Sequence, residues 1–207
     1  RWGSMMANLT KEDIRSVVET IKELYLEDMI PWICGYSGGK DSTAVVQLVW
    51  YALRELPPEK RKKVVHVIST DTLVESPVVA IWATKSLEKM KRQADDDGLP
   101  ITPHRLTPTT TNTFWVNLIG RGYPYPRRDF RWCTDRLKID TSNRFIKSVL
   151  DAESEAIMVL GSRKAESSTR KASLESYEKK RYRAHLSPNG SFPNSYVFTP
   201  IENWSND

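Results

Sequence analysis

The chain has 207 residues, of which 39% are hydrophobic and 28% charged, with a formal net charge of +5. That size and apolar content suit one globular domain able to bury a core, and no apolar run approaches the roughly 20 residues that cross a bilayer, so no membrane association is expected. Cys34 and Cys133 are the only cysteines; two cannot build a secreted disulfide framework, so a cytoplasmic location is expected.

Residues 1–4, Arg-Trp-Gly-Ser ahead of Met5, read as a cloning remnant and are set aside. The rest, 5–207, reads as one domain that ends without a closing helix and so lacks a C-terminal portion. A helix is expected over 10–28, with Thr10 and Asp13 forming an acidic capping box and Ile14, Val17, Val18, Ile21, Leu24 and Tyr25 forming its core stripe. The apolar run 30–34 predicts a strand, residues 41–56 a helix stopped by Pro57-Pro58, and the β-branched run 64–69 a buried parallel strand. Ser76-Pro77 opens a further helix whose core face is Val78, Val79, Ile81, Trp82, Ala83 and Leu87. Asp95, Asp96 and Asp97 form its solvated end rather than a metal site. Residues 100–107 give a weak strand signal, Pro103 fitting an edge. A short helix over 112–119, a loop over 122–128, a helix over 134–150 and a strand over 156–161 follow. A polar, basic segment then runs to Asn194, before a last strand over 196–201. The fold class these elements predict is α/β, a mostly parallel sheet flanked by helices.

The most informative stretch is Tyr36-Ser37-Gly38-Gly39-Lys40-Asp41-Ser42, a strand–turn–helix passage. Two glycines permit a tight bend, and the helix that follows points unpaired N–H groups and the positive end of its dipole into it. With Lys40 beside it, the bend suits a phosphate chain. The spacing matches neither the Walker A loop nor the dinucleotide fingerprint. The strand over 64–69 runs into Thr70, Asp71 and Thr72, and in a doubly wound sheet ligands bind beyond such carboxyl ends. Cys34, inside an apolar strand, reads as core. Cys133, ahead of a helix and near Arg131 and Arg136, reads as a reactive thiol. Positive charge gathers late in the chain: net +4 over 121–138 and +5 over 163–183, leaving −4 elsewhere. Such a distribution suits a polyanionic partner, and solvated helix surface gives the same count.

Ser-Gly-Gly-Lys-Asp-Ser resembles the PP-loop of ATP pyrophosphatases. Four further motifs stand in order: Ser69-Thr70-Asp71-Thr72; Arg131-Trp132-Cys133-Thr134 with Lys138; Gly161-x-Arg163-x-x-Glu166-Ser167-x-x-Arg170; and Pro200-Ile201-x-x-Trp204. Together they resemble the phosphoadenylyl-sulfate (PAPS) reductase branch of the PP-loop superfamily, which implies the adenine nucleotide alpha hydrolase-like fold. Arg163-Lys164-Ala165-Glu166-Ser167, Leu186-Ser187-Pro188-Asn189 and Phe192-Pro193-Asn194-Ser195 are most similar to the DndC family of bacterial DNA phosphorothioation.

That resemblance implies an enzyme that uses ATP to activate a DNA backbone phosphate for sulfur, cleaving ATP to AMP and pyrophosphate. A cysteine desulfurase would supply the sulfur, and other DNA sulfur-modification subunits would act on the same DNA. Ser37, Gly38, Gly39, Lys40 and Ser42 would hold the β and γ phosphates, and Asp41 would hold Mg²⁺. Thr70, Asp71 and Thr72 would border the adenosine. Gly161 would let the ligand approach, Arg163 or Arg170 would offset charge on departing pyrophosphate, and Glu166 would orient an arginine. Lys138 would share a helix face with Thr134. Cys133 would carry a persulfide or ligate a 4Fe-4S cluster. Such a cluster takes four thiolates, so its other ligands lie beyond Asp207 or on another chain, or the cluster is absent. Two rivals remain: a sulfonucleotide reductase, and a non-catalytic assembly subunit gated by nucleotide.

Overall fold

The computed structural model describes residues 9–127, 129–181, 183 and 185–205; the remnant at 1–4, Arg128 of the loop and the last two residues of the chain lie outside them. Five helices, α1 (Lys11–Glu27), α2 (Lys40–Glu55), α3 (Pro77–Asp96), α4 (Asp140–Glu153) and α5 (Ser168–Lys179), flank one sheet. Its strands are β1 (Trp32–Gly35), β2 (Val65–Thr70), β3 (Ile101–Leu106), β4 (Ala156–Val159), β5 (Ser187–Pro188) and β6 (Ser195–Phe198). They lie in the order β3-β2-β1-β4-β6-β5, with every pairing parallel except β5 on β6. The expected α/β, mostly parallel sheet flanked by helices is therefore the observed fold.

Local chemistry accounts for the first third. Thr10 and Asp13 cap α1 reciprocally: Asp13 N donates to Thr10 Oγ1 at 3.1 Å, and Thr10 N donates to Asp13 Oδ2 at 2.8 Å. Val18, Ile21, Leu24 and Tyr25 bury that helix against Trp32, Val49 and Leu53, whereas Ile14, expected in the stripe, is exposed one turn too near solvent. Trp32, Ile33 and Cys34 pair with β2 on one side and β4 on the other, so β1 is buried on both faces. Pro103 sits in β3, the sheet's edge.

Three expectations are corrected. The apolar face assigned to α3 is not core: Val78, Val79, Ile81 and Trp82 are exposed, and only Leu87 and Ala94 of that helix are buried. The helix expected over 134–150 begins at Trp132, winds as a π-helix over Thr134–Ile139 and continues as α4. The short helix over 112–119 is a 3₁₀ turn, Thr110–Asn112, followed by a π turn, Val116–Gly120. The polar segment after Gly161 contains α5, capped by Ser167, which accepts from Arg170 N at 3.2 Å.

Candidate functional site

The parallel order places the ends of β1, β2 and β4 side by side, and the bend of residues 36–39 crosses from β1 into α2 there. Gly38 has φ +75°, and a Cβ on it would fall 2.5 Å from the Trp82 ring. The hydroxyls of Ser37 and Ser42 brace the bend from within, 3.1 Å apart. Ser42 Oγ donates to Gly39 O at 3.0 Å and accepts from Ser37 N at 3.2 Å, while Gly39 N donates to Ser37 Oγ at 3.3 Å. Gly39 offers α2 no side-chain cap, so the first-turn N–H groups of a 16-residue helix keep their affinity for an anion. Lys40 is exposed at that first turn.

A cavity of about 330 Å³ opens beside the bend. Its wall includes Ser37, Ser42, Thr70, Asp71 and Lys138 of the expected site, together with Glu75, Trp82, Arg105 and Ser142, which sequence reasoning missed as site residues. Arg105 is the most consequential of these. It lies on β3 in register with Ser69 of β2 and hydrogen-bonds Asp71 Oδ2 through Nη2 and, at 3.2 Å, through Nε. Leu73 N donates to the other oxygen at 2.8 Å. Burial pushes the Asp71 carboxyl up, but Arg105 and the Leu73 N–H together hold it below its ordinary value. Thr70 Oγ1 lies 3.1 Å from Ser142 Oγ on α4, and Lys138 Nζ is 3.6 Å from Glu75. Thr72 is buried outside the wall. Lys138 lies four residues after Thr134 on the π-wound stretch Thr134–Ile139.

The loop after β4 closes the other flank. A Cβ on Gly161 would stand 2.9 Å from the Asp41 carbonyl carbon and oxygen and 3.0 Å from Ser42 N, so the approach this glycine permits is backbone to backbone. Arg163, 4% exposed, brackets Asp41: Nη2 donates to Oδ2 at 3.2 Å, and Nε lies 2.9 Å from Oδ1 without hydrogen-bond geometry. Its Nη1 donates to Ser205 O. Glu166 accepts from the backbone N–H of Arg163 at 3.1 Å and lies 3.5 Å from Arg170 Nε, whose Nη1 reaches Ser162 Oγ at 3.2 Å. Six of the eight basic side chains over 163–183 have carboxylate partners, Arg181 with Glu202 and Arg183 with Asp28 among them, so much of that stretch's charge is internally matched.

The two cysteines stand apart in character. Cys34 is buried in β1, and burial pushes its thiol up to about 12. Cys133, half-buried at the start of the π-helix, is not in the cavity wall. Two thiols so placed do not make the four-thiolate set of a cubane cluster. Among the described residues no group of three or more His, Cys, Asp and Glu is arranged to hold a metal ion. Mg²⁺ with a nucleotide asks for less, one or two carboxylates plus phosphate oxygens, and Asp41 is the carboxylate at the bend. No helix among the described residues is long and apolar enough to cross a membrane.

An uncharacterized protein of Methanocaldococcus jannaschii is 28% identical over 156 residues, which cover 75% of this chain and 28% of that protein. The chain thus spans little more than a quarter of the curated relative it matches. Among solved structures, the U34-tRNA thiolase NcsA of Methanococcus maripaludis, with its 4Fe-4S cluster, superposes with a TM-score of 0.55 at 16% identity, over 95% of this chain and 60% of that one. A phosphoadenylyl-sulfate reductase of Candida auris gives 0.47 at 13% identity, over 99% and 84%. Residues 31–207, which include the bend, the cavity wall and the loop after β4, match the phosphoadenosine phosphosulfate reductase domain, and the chain belongs to that family.

Proposed function

We propose that this chain activates a DNA backbone phosphate for sulfur incorporation, at the expense of ATP. The observation that carries the reading is the braced bend at residues 36–39, which aims an uncapped helix N-terminus along the wall of a cavity large enough for a nucleotide. Ser37, Gly38, Gly39, Lys40 and Ser42 hold the β and γ phosphates, and the adenosine lies against Thr70 and Asp71, with Thr72 supporting them from the core. Arg170 is the arginine exposed to meet departing pyrophosphate; Arg163 acts through Asp41, and Glu166 fixes the loop that carries both arginines. Mg²⁺, held by Asp41, would offset repulsion between the two polyanions.

A DNA phosphate oxygen attacks the α-phosphorus of ATP, and pyrophosphate leaves. The terminal sulfur of a persulfide, drawn from a cysteine desulfurase, then attacks the DNA phosphorus and AMP leaves; a thiol cleaves the remaining S–S bond. Cys133 is the residue in this chain suited to carry the persulfide, and Lys138 the cation on the same helical segment beside the cavity. The DndC-like motifs at 163–167, 186–189 and 192–195 favour DNA as the acceptor. The test measures AMP and DNA phosphorothioate formed from ATP, DNA, desulfurase and the partner subunits. Lys40→Ala should abolish both with the thermal melt unchanged. Undiminished sulfur incorporation by that variant overturns the proposal.

A further inference from the structure

Among the described residues from Thr113 to Arg136, the aromatic and basic side chains fall into two sets. Trp132 is buried, stacked on Phe114 with ring centroids 5.3 Å apart and edge-on to Tyr123 at 5.4 Å, and its Nε1 donates to Pro124 O at 2.9 Å. Arg136 reaches Tyr123 OH at 2.6 Å, and Arg121 is spent on Asn117 Oδ1 at 3.0 Å and Thr111 O at 3.1 Å. These groups hold the segment together. The second set is open to solvent: Trp115, whose ring meets Phe114 edge-on at 5.3 Å, Tyr125 and Phe130 are 58%, 73% and 44% exposed. Arg127, between Tyr125 and Phe130 in the chain, and Arg131, next after Phe130, are exposed, and neither has a carboxylate partner among the described residues. Arg127 and Phe130 exchange backbone hydrogen bonds at 3.1 and 3.0 Å, which fixes both at the base of one turn.

Large rings left in water beside uncommitted guanidinium groups are a surface for a ligand with flat apolar faces and a negative backbone. We infer that this segment docks an unpaired stretch of a DNA strand, an inference that rests on the DNA reading above. Bases stack on Tyr125, Phe130 and Trp115, and Arg127 and Arg131 take the phosphates. A duplex hides its base faces, and a protein partner would leave the charge unmatched unless it were acidic. The segment is continuous with the cavity, because the helix that begins at Trp132 carries Lys138 into the cavity wall.

The test titrates the full chain against a fluorescein-labelled single strand of about 20 nucleotides, its duplex and the matching RNA strand, over a range of salt. Tyr125→Ala and Phe130→Ala should each weaken single-strand DNA binding about tenfold. Arg127→Gln and Arg131→Gln should each lower the slope of log affinity against log salt by about 0.7. Thermal melting and binding of a fluorescent ATP analogue should stay as in the unsubstituted chain. Single-strand affinity and slope unchanged in all four variants overturn the inference; so does equal affinity for the duplex, or tighter binding of the RNA. Should a variant fail to fold, photo-crosslinking of bromodeoxyuridine-substituted DNA to the unsubstituted chain decides: adducts within 113–131 support it, and adducts confined elsewhere overturn it. A chain that binds single strands this way but forms no AMP keeps this inference and discards the proposed function; the reverse result discards this one alone.

Discussion

Arg163, carried by the loop after β4, grips Asp41 on the first turn of α2, with Nη2 3.2 Å and Nε 2.9 Å from the two carboxylate oxygens. The pair ties two segments 122 residues apart in the chain at the position where the bend must keep its shape. Removing one member of a buried pair leaves the other charge uncompensated. Because Asp41 is partly exposed, Arg163→Ala should destabilise the fold by about 2–3 kcal/mol, below the loss for a fully buried pair. Urea denaturation checks this, and a loss under about 0.5 kcal/mol, the range of an ordinary surface substitution, would show that the pair carries no strain-free anchoring role.

Gly161→Ala should cost about 1–3 kcal/mol, since the added methyl meets the backbone of Asp41 and Ser42 rather than a side chain that can rotate away. Gly190→Ala has nothing within 4 Å and should stay within about 0.5 kcal/mol. Denaturation midpoints of the two variants, measured together, decide between backbone crowding and a general glycine effect. ATP affinity should fall in the first only.

Arg105→Gln should leave stability nearly unchanged, within about 1 kcal/mol, because its guanidinium is well exposed. Its effect belongs to the cavity, where Asp71 loses the partner that orients its carboxylate. Nucleotide binding, read by calorimetry, should weaken about tenfold, the scale of one lost charge-assisted hydrogen bond. Equal affinity in the variant would remove Asp71 from the nucleotide-facing wall.

His66 Nδ1 and His104 Nε2 lie 3.0 Å apart on β2 and β3, both against Phe145. Burial lowers both below the ordinary 6.5, and for His104 the neighbouring His66 adds to the lowering. The folded chain therefore binds fewer protons than the unfolded chain below about pH 6.5, and the stability present above that value is lost as pH falls from it through the lowered folded values. His104→Gln should flatten the stability profile between pH 7 and pH 5. An unaltered slope would assign the pH dependence elsewhere.

The sequence carried those elements whose causes are local. The Thr10–Asp13 cap, the glycine bend and the β-branched run of β2 each declare themselves within a few residues, and each is where it was expected. The α3 face misled because its apolar spacing is genuine, yet only Leu87 and Ala94 turn inward; periodicity reports a stripe, not what covers it. α5 escaped notice because Leu174 is its single buried residue, so no stripe marks it. Arg105 was invisible as a site residue, since only the register of β3 on β2 brings its side chain to Asp71. The charge over 163–183 read as a field for a polyanion, but its partners Asp28, Asp41 and Glu202 lie far away in sequence.

Both borders of the sheet are blunted by an imino acid. Pro103 interrupts the donors of β3, and β5 is two residues long and ends in Pro188. A proline in an edge strand and an edge of two residues both disfavour the laying down of another strand. That leaves helices and loops as the favoured grips for an assembly, away from the six-stranded platform that carries the bend.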